Sequence, residues 1–285
     1  MYLRHYRLSG NPMPTGATSV ETRLFGDSDS RQGDLLGLAS GGLVAAWHQQ
    51  GATGPDGQFV AYRAPGGDSW AELPALAFMP TMASDQVLAQ HPSDGSVWLL
   101  SNPDAWGAIG AVHLSEVDGA LRVDWTDGLF ITQQRYGSNG PDPEDPVLAA
   151  AADAATGSIA HAYQSAERQR FFKADRTETA SRVAVVHVAT DASLKFLPRA
   201  PVWAERVSTI GLVVAGGEAW VSYRPVDPST LSFADAYVIR HSDAGWEAPH
   251  RLGTLDELTN NVTYASGTPS FSTRLTDGRT HLWTL

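Results

Sequence analysis

The chain has 285 residues, of which 42% are hydrophobic and 18% charged, an ordinary balance for a globular protein with a substantial core. It contains no cysteine, so thiol nucleophiles, disulfides and cysteine-ligated zinc are excluded. The formal net charge of −11 argues against a nucleic-acid partner, which would need a basic stripe.

The predicted elements begin with a hairpin that recurs five times along the chain. Each copy has an apolar run, a turn containing glycine or alanine, and a second apolar run that ends in an aromatic or polar residue. The copies span residues 35–50, 87–102, 147–165, 211–225 and 269–285. Aligning them on Leu36, Leu88, Leu148, Leu212 and Phe271 gives spacings of 52, 60, 64 and 59 residues. Two-residue alternation recurs throughout and helical spacing is almost absent, so the chain is predicted to be all-β.

A second, more polar hairpin follows each of the first four copies. Its strands are predicted at residues 59–63 and 70–76, 110–114 and 121–125, 183–188 and 194–203, and 237–241 and 246–252. After the fifth copy the chain stops, and the missing hairpin is at the start, in residues 2–9 and 19–26. This period, with four strands per unit, is typical of a β-propeller. We predict a five-bladed β-propeller of four-stranded antiparallel blades, whose ring is closed by N- and C-terminal strands that share one blade.

The ring is predicted to be a single domain, residues 1–285, because cutting it would leave an unpaired sheet edge. The blades are expected at about 34–80, 81–143, 144–205, 206–258, and 259–285 together with 1–30. The basic stretch 168–182 is interrupted by acids and is predicted as a solvated loop, or alternatively as a lid. Large aromatic residues on second strands are expected to fill the space between blades. They are Trp47, Trp98, Tyr163, Trp220, Tyr223 and Trp283.

Four acidic residues are candidates for catalysis, because propeller ligands usually sit at one mouth of the tunnel, where first strands begin and second strands end. Asp34, Asp85 and Asp145 begin first strands in three successive blades, and Glu205 lies on the loop that leads into the fourth. Two carboxylates that flank a glycosidic bond can act as acid and as base or nucleophile, provided that their pKa values differ. Crowding raises at least one of these pKa values. Alternatively, an aspartate at the start of a strand caps a turn through its own backbone.

Five further residues are candidates for holding a substrate at the same mouth. They are His48, Gln164 and Arg224 where second strands end, Arg206 where the fourth blade begins, and Trp106 in the loop 102–107. Arginine can bind carboxylates or hydroxyls through forked hydrogen bonds, and a loop tryptophan can stack on a sugar. The spacing of the histidines gives no transition-metal motif, and no cofactor is required. A ring of carboxylates could hold Ca²⁺ or Na⁺ in the tunnel.

Two turns between third and fourth strands carry a motif with a family resemblance. Residues 242–246 (SDAGW) and 66–70 (GGDSW) resemble shortened copies of the aspartate box of sialidase-type repeats, Ser-x-Asp-x-Gly-x-Thr-Trp. In that box the Asp and Ser brace a tight turn and the Trp packs between sheets. The resemblance implies a structural role and says nothing about catalysis.

A second resemblance lies at the start of the third blade. The pair Asp145-Pro146, preceded by Glu144, resembles the beginning of an inner strand in five-bladed glycosidases of the arabinanase and fructosidase type. Those enzymes place a catalytic Asp there, which implies this role for Asp145. The sequence departs from sialidases, since it has no Arg-Ile-Pro segment and no evident arginine triad. It offers Glu205 as the acid nearest to the position of a catalytic Glu.

The resulting hypothesis is a carbohydrate-active enzyme, a glycoside hydrolase-like protein with one acidic site at the tunnel mouth. One alternative is a non-catalytic sugar- or protein-binding propeller, and another is a lyase or cyclase of a biosynthetic pathway. The mouth residues differ from blade to blade, which favours a single central site over one site per blade. We expect a small-molecule or oligosaccharide ligand, no membrane partner and a monomer. We expect the chain as given to be cytoplasmic, or secreted if a signal was removed.

Overall fold

A computed structural model of the protein describes residues 2–7, 18–23, 29–50, 57–74, 86–103, 108–130, 148–170, 177–198, 200, 203–204, 206–226, 235–253, 255–257, 270–275 and 280–284. Almost all of these residues lie in antiparallel β-strands or in the tight turns that join them. No helix among them is long and apolar enough to cross a membrane. The described part of the chain therefore confirms the all-β class.

The strands of the described residues form six hydrogen-bonded sheets. The first sheet contains β1 (Tyr2–Arg7) and β2 (Thr18–Arg23). Blade 1 contains β3 (Asp29–Gly37), β4 (Leu43–Gln50), β5 (Gly57–Arg63) and β6 (Ala71–Glu72). Blade 2 contains β7 (Gln86–Gln90), β8 (Val97–Pro103), β9 (Ala108–Val117) and β10 (Ala120–Phe130).

The remaining sheets continue the same order along the chain. Blade 3 contains β11 (Leu148–Asp153), β12 (Ser158–Arg170), β13 (Thr177–Val188), β14 (Leu194–Phe196) and β15 (Trp203–Ala204). Blade 4 contains β16 (Arg206–Ala215), β17 (Glu218–Val226), β18 (Ala236–Ser242), β19 (Gly245–Trp246) and β20 (His250–Gly253). The last sheet contains β21 (Leu255–Glu257), β22 (Ser270–Leu275) and β23 (Thr280–Thr284).

The hairpin turns follow from glycine at positions where the backbone is left-handed. In blade 4 the strands β16 and β17 are joined by Gly216 and Gly217, whose φ angles are +61° and +83°. A two-residue turn with positive φ at both positions matches the right-handed twist of the two strands, and glycine adopts it without a steric penalty. The turn fixes the register, so that Ala215 pairs with Glu218.

The blades pack face to face around their first strands. In the described residues β3 contacts β7, β7 contacts β11, and β11 contacts β16, so consecutive innermost strands are neighbours. Separate hydrophobic clusters fill the interfaces between blades 1 and 2, blades 2 and 3, and blades 3 and 4. Because each sheet is covered on both faces, apolar residues occupy both alternating sets of a strand. The arrangement is that of a propeller.

Two of the predicted second-strand rings, Trp98 and Tyr223, pack in these interfaces and are almost fully buried. Trp47 and Trp220 are also buried, but in clusters formed by residues of blade 1 alone and of blade 4 alone. The side chains of Tyr163 and Trp283 lie outside the described residues. Hydrogen bonds add to the packing between blades 1 and 2, where Glu116 accepts from the hydroxyl of Ser40 at 2.7 Å. Aromatic volume and a few polar links therefore join neighbouring sheets.

Two details of the predicted strands need correction. The fourth strand of blades 3 and 4 is divided into two short pieces instead of one continuous run. Of the stretch 168–182, predicted as a loop, the described residues 168–170 and 177–182 instead extend the hairpin β12–β13, which is paired as far as Arg170 and Thr177. The reason is that backbone hydrogen bonds can extend a two-stranded ribbon even where its side chains are charged.

The closure of the ring by the two chain ends stays a prediction. Among the described residues, β1 pairs with β2, and β23 pairs with β22, in two different sheets. The strand β22 also pairs with β21, which the sequence pattern did not predict. The four complete blades agree with the predicted order, whereas the fifth blade and its shared termini are not established by these pairings.

Candidate functional site

The site is built at the mouth end of the blades, where β3 and β7 begin and where β4 and β8 end. In blade 1 this end carries a β-bulge, since the pairing of β3 with β4 shifts between Arg31 and Asp34. Blade 4 carries a similar bulge between Val207 and Ile210. Bulges twist a strand and turn its side chains, and they recur beside functional sites. Asp34 is the first paired residue after the bulge of blade 1, so it lies within β3, which begins at Asp29, and not at the start of the strand as the sequence predicted.

The Asp34 carboxylate joins two blades through two backbone amides. The N–H of Leu35 donates to Oδ1 at 2.8 Å, and the N–H of Leu88 donates to Oδ2 at 2.7 Å. Leu88 belongs to β7, the innermost strand of blade 2, so one side chain bridges two adjacent first strands. Within the described residues each carboxylate oxygen has one donor, which fixes the orientation of the group while leaving lone pairs on both oxygens.

The surroundings of Asp34 affect its acidity in two opposing ways. Burial disfavours the charged carboxylate and raises its pKa above the ordinary value, while the hydrogen bonds from Leu88 and Leu35 favour the charge and offset part of this rise. The net direction is upward. Asp34 is therefore a fixed carboxyl group whose proton affinity is higher than that of a solvated aspartate.

Two buried glutamines lie on the same interface. Gln58 of β5 and Gln86 of β7 are 1% and 7% exposed, and their amide atoms have no hydrogen-bond partner within the described part of the chain. Strand alternation places Gln58 on the face of Val60, and Gln86 on the face of Leu88. Both apolar residues belong to the cluster between blades 1 and 2. The mouth end of this interface thus has a carboxylate and two amides with unused donors and acceptors.

The sequence analysis did not identify these two glutamines. Their signal is a polar residue at a position where the two-residue alternation of a buried strand requires an apolar one, as in Gln58-x-Val60-x-Tyr62. A buried amide needs hydrogen-bond partners, because leaving it without them costs about 1–3 kcal/mol. A polar ligand that supplied hydroxyl groups would satisfy both side chains.

Arg224, predicted to bind substrate, is placed on another interface. It is buried at the end of β17, where alternation puts it on the face of Trp220 and opposite Tyr223. Trp220 belongs to the cluster on the outer face of blade 4, whereas Tyr223 packs toward blade 3. The described contacts therefore do not bring Arg224 to the interface of Asp34.

The structure describes the other predicted residues only in part. His48, Gln164 and Arg206 lie on β4, β12 and β16, and their backbones pair with Arg31, Val183 and Val226. Three candidate acids and the loop tryptophan lie outside the described residues: Asp85, Asp145, Glu205 and Trp106. The predicted cluster of carboxylates is thus represented by Asp34 alone in the described ranges.

The described residues contain no group of three or more His, Asp or Glu side chains arranged to hold a metal ion. The predicted Ca²⁺ or Na⁺ ion in the tunnel depends on aspartates beyond these ranges and stays a prediction.

The fold is similar to that of several solved enzymes. A sialidase from Trypanosoma rangeli in complex with sialic acid matches with a TM-score of 0.54 and 13% identity, over 99% of this chain and 51% of the sialidase chain. This chain therefore spans about half the length of that sialidase. An α-L-arabinanase from Penicillium chrysogenum complexed with arabinobiose matches with a TM-score of 0.54 and 15% identity, over 89% of this chain and 77% of the arabinanase.

A mutant levansucrase from B. subtilis matches with a TM-score of 0.50 and 10% identity, over 90% of this chain and 84% of that chain. No protein-family model matches the sequence, and no curated protein does. At these identities a structural likeness establishes the fold, and function depends on the residues of the site. The chain is an all-β protein with a propeller fold similar to that of the sialidase, the arabinanase and the levansucrase.

Proposed function

We propose that this protein is a carbohydrate-active enzyme, a glycoside hydrolase-like propeller with one acidic site at the mouth end. The observation that carries the proposal is the Asp34 carboxyl group, which is held by amides of two blades and has a raised pKa. Fixed carboxyl groups with shifted pKa values are the groups that glycoside hydrolysis requires. The buried amides of Gln58 and Gln86 suit a ligand rich in hydroxyl groups.

In this proposal Asp34 acts as the base or nucleophile. Both of its oxygens accept an N–H, and an ionised carboxylate accepts such bonds better than a protonated acid does. The proton donor would be one of Asp85, Asp145 and Glu205. We predict that at least two of Asp34, Asp85 and Asp145 have carboxyl groups roughly 5–10 Å apart, the range over which a carboxyl pair can hydrolyse a glycoside.

The first substrates to test come from the similar structures, since the arabinanase holds arabinobiose and the sialidase holds sialic acid. Release of reducing sugar from arabino-oligosaccharides and of sialic acid from sialylated oligosaccharides should be measured first, followed by a wider panel of glycosides. The proposal requires hydrolysis by the native protein and its loss in Asp34→Asn. Absence of hydrolysis over the whole panel would contradict it.

A non-catalytic sugar- or protein-binding propeller is the second candidate. The observation that favours it is the position of Asp34, whose two hydrogen bonds link blades 1 and 2 and so give the side chain a structural role. This candidate predicts a sugar or a protein that binds without being cleaved. A lyase or cyclase would instead be recognised from its products, because neither reaction incorporates oxygen from ¹⁸O-labelled water into a newly formed reducing sugar.

A further inference from the structure

A groove of about 860 Å³ lies between blades 3 and 4 at the end opposite the mouth. Its walls come from the turns β11–β12 and β13–β14 on one side, and from the turns β16–β17 and β18–β19 on the other. These turns join strands at the far ends from the positions where β3 and β7 begin. The volume falls within the range of small-ligand sites, and the groove shares no residue with the mouth site described above.

A chain of four side chains leads from the interior to this groove. Asp153 is 2% exposed and accepts from the hydroxyl of Thr156 at 2.7 Å. The Thr156 and Ser158 hydroxyl oxygens are 2.7 Å apart, and Ser158 Oγ is 3.0 Å from Nδ1 of His187. His187 lines the groove. The four side chains thus form a continuous hydrogen-bonded relay.

The relay determines which nitrogen of His187 carries the proton. The Asp153 carboxylate can only accept hydrogen bonds, so the Thr156 hydroxyl donates its hydrogen bond to this carboxylate. The close contact of the two hydroxyls then needs the proton of Ser158, because two lone pairs at this distance repel each other. Ser158 has no proton left, so His187 must donate from Nδ1. Its other nitrogen, Nε2, is an acceptor on the edge of the ring away from the relay.

The groove also has an exposed aromatic ring. Phe196 on β14 is 43% exposed, although it is one of the large apolar side chains of the described residues. Nearby, Trp246 is partly buried against the cluster between blades 3 and 4, and its indole N–H donates to the carbonyl of Pro198. His241 packs edge-on against Trp246, with ring centroids 4.9 Å apart. Trp246 therefore supports the wall, and Phe196 offers a free apolar face.

The charges that face the groove come from four elements and carry no strong excess of either sign. They are Lys195 on β14, Asp243 in the turn after β18, His241 on β18, and Asp153 behind His187. Burial lowers the pKa of His187, and Lys195 and His241 lower it further against the opposing effect of Asp153. Burial also lowers the pKa of His241. Both imidazoles are therefore neutral near pH 7.

We propose that this groove binds a saccharide ring. The apolar face of the sugar packs on Phe196, and one sugar hydroxyl donates a hydrogen bond to Nε2 of His187. Neutral acceptors, a lysine, a carboxylate and an exposed ring are complementary to an uncharged ligand that has hydroxyl groups around an apolar face. A strongly charged ligand of either sign would meet a repelling charge of the same sign, at Asp243 for an anion and at Lys195 for a cation. Binding at this groove does not require catalysis at the mouth.

The test uses the native protein with methyl 1-thioglycosides of the common pentoses and hexoses, whose sulfur resists hydrolysis. We expect at least one of them to shift the ¹⁵N signals of His187, and both His187→Ala and Phe196→Ala to raise its Kd by about tenfold, the loss of one good contact. His113→Ala is the matched control, because His113 occupies the corresponding third-strand position opposite Trp98 in blade 2. Val123→Ala removes another exposed apolar side chain outside the groove. Both controls should leave the Kd within about twofold.

Ser158→Ala tests the relay with little direct change to the groove, because Ser158 lines the groove but is only 5% exposed. It should move the proton of His187 toward Nε2, which the ¹⁵N shifts of the two ring nitrogens report, and it should weaken binding. If no thioglycoside shifts the His187 signals, or if His187→Ala binds as tightly as the native protein, the proposal is wrong. Absence of hydrolysis at the mouth would show in the arabino-oligosaccharide assay and would leave this result unchanged.

Discussion

The mouth end and the turn end of the molecule each hold an aspartate whose oxygens accept different kinds of donors. Asp34 accepts two backbone amides, from Leu35 in its own strand and from Leu88 in the next blade. Asp153 accepts from the amide of Ala155 and the hydroxyl of Thr156, both within its own turn. Asp34 therefore depends on how two blades pack, whereas Asp153 depends on local sequence.

This difference separates two roles that a hydrogen-bonded carboxylate can have in the fold. Backbone donors from two sheets hold Asp34 rigidly while leaving the group itself available to a ligand. Asp153 is connected to His187 by hydrogen bonds through Thr156 and Ser158. In the proposed groove site it is therefore His187, and not Asp153, that contacts the ligand. The first arrangement suits a catalytic group, and the second suits a positioning group.

The largest effect is expected when this difference is tested on activity. Asp34→Asn keeps the size of the side chain and removes its charge, so hydrolysis should fall by roughly 10³-fold. Asp153→Asn should leave hydrolysis at the mouth within about threefold, because Asp153 lies at the opposite end of the blades. Rates with the best substrate of the panel would measure both. Equal losses in the two variants would indicate general damage to the fold.

The pH dependence of activity gives a second test of Asp34. A base must be ionised, so kcat/KM should fall tenfold per pH unit below the raised pKa of Asp34, and this acid limb should lie above the ordinary value of 3.8. Stability should have the opposite slope. The folded state holds the proton more tightly than the unfolded state, so the free energy of unfolding falls as pH rises from 3.8 through the raised pKa.

The comparison of native protein with Asp34→Asn isolates these two slopes. The variant has no titrating group at this position, so its free energy of unfolding should lack the fall between 3.8 and the raised pKa. Urea unfolding at a series of pH values measures this. A difference between the two proteins that does not change across this range would contradict the raised pKa.

Stability and amide exchange sharpen the comparison further. Asp34→Ala leaves two N–H donors without this acceptor, and Asp153→Ala leaves three donors without it, the Ala155 amide and the amide and hydroxyl of Thr156. Each variant should lower the free energy of unfolding by about 1–3 kcal/mol. The location of the damage should differ. The Leu88 amide, in the neighbouring blade, should exchange faster in Asp34→Ala, whereas exchange in Asp153→Ala should increase around Ala155. Faster exchange confined to blade 1 in Asp34→Ala would contradict the link between the blades.

The sequence predicted those parts of the molecule that depend on local pattern. Alternation and turn residues gave the hairpins of four blades, and the second-strand aromatics were expected in the core, where Trp47 and Trp98 lie. Asp34 was chosen for its place at the start of a strand. The hydrogen bond that Asp34 accepts from Leu88 could not be predicted, because the two residues are 54 positions apart in sequence and meet only through the packing of two sheets.

The relay to His187 was missed for the same reason. Its members come from a turn and from a strand 29 residues later in sequence than Ser158, and strand pairing alone brings them together. The bulge before Asp34 and the extended ribbon β12–β13 were also missed, since both are set by backbone pairing that few side chains specify. Composition and alternation determine which strands exist, and inter-strand register determines which polar groups meet.

The smallest effect is expected at Gln86 and Gln90, the two glutamines of β7, because one has unused hydrogen-bonding groups and the other is hydrogen-bonded within the fold. Gln86 has a buried amide without a partner in the described residues, so Gln86→Leu should leave the free energy of unfolding unchanged or raise it by up to about 1 kcal/mol.

Gln90 is the matched control on the same strand face. It accepts from the Ala39 amide at 2.8 Å and donates to the Gly95 carbonyl at 3.0 Å, so Gln90→Leu should lower stability by about 1–2 kcal/mol. Gln86→Leu should also raise KM for the best substrate by more than Gln90→Leu does, because Gln86, unlike Gln90, lies at the mouth end of the interface and has unused hydrogen-bonding groups. Urea unfolding and steady-state kinetics measure the two effects, and a clear loss of stability in Gln86→Leu with KM unchanged would show that its amide serves the fold and not a ligand.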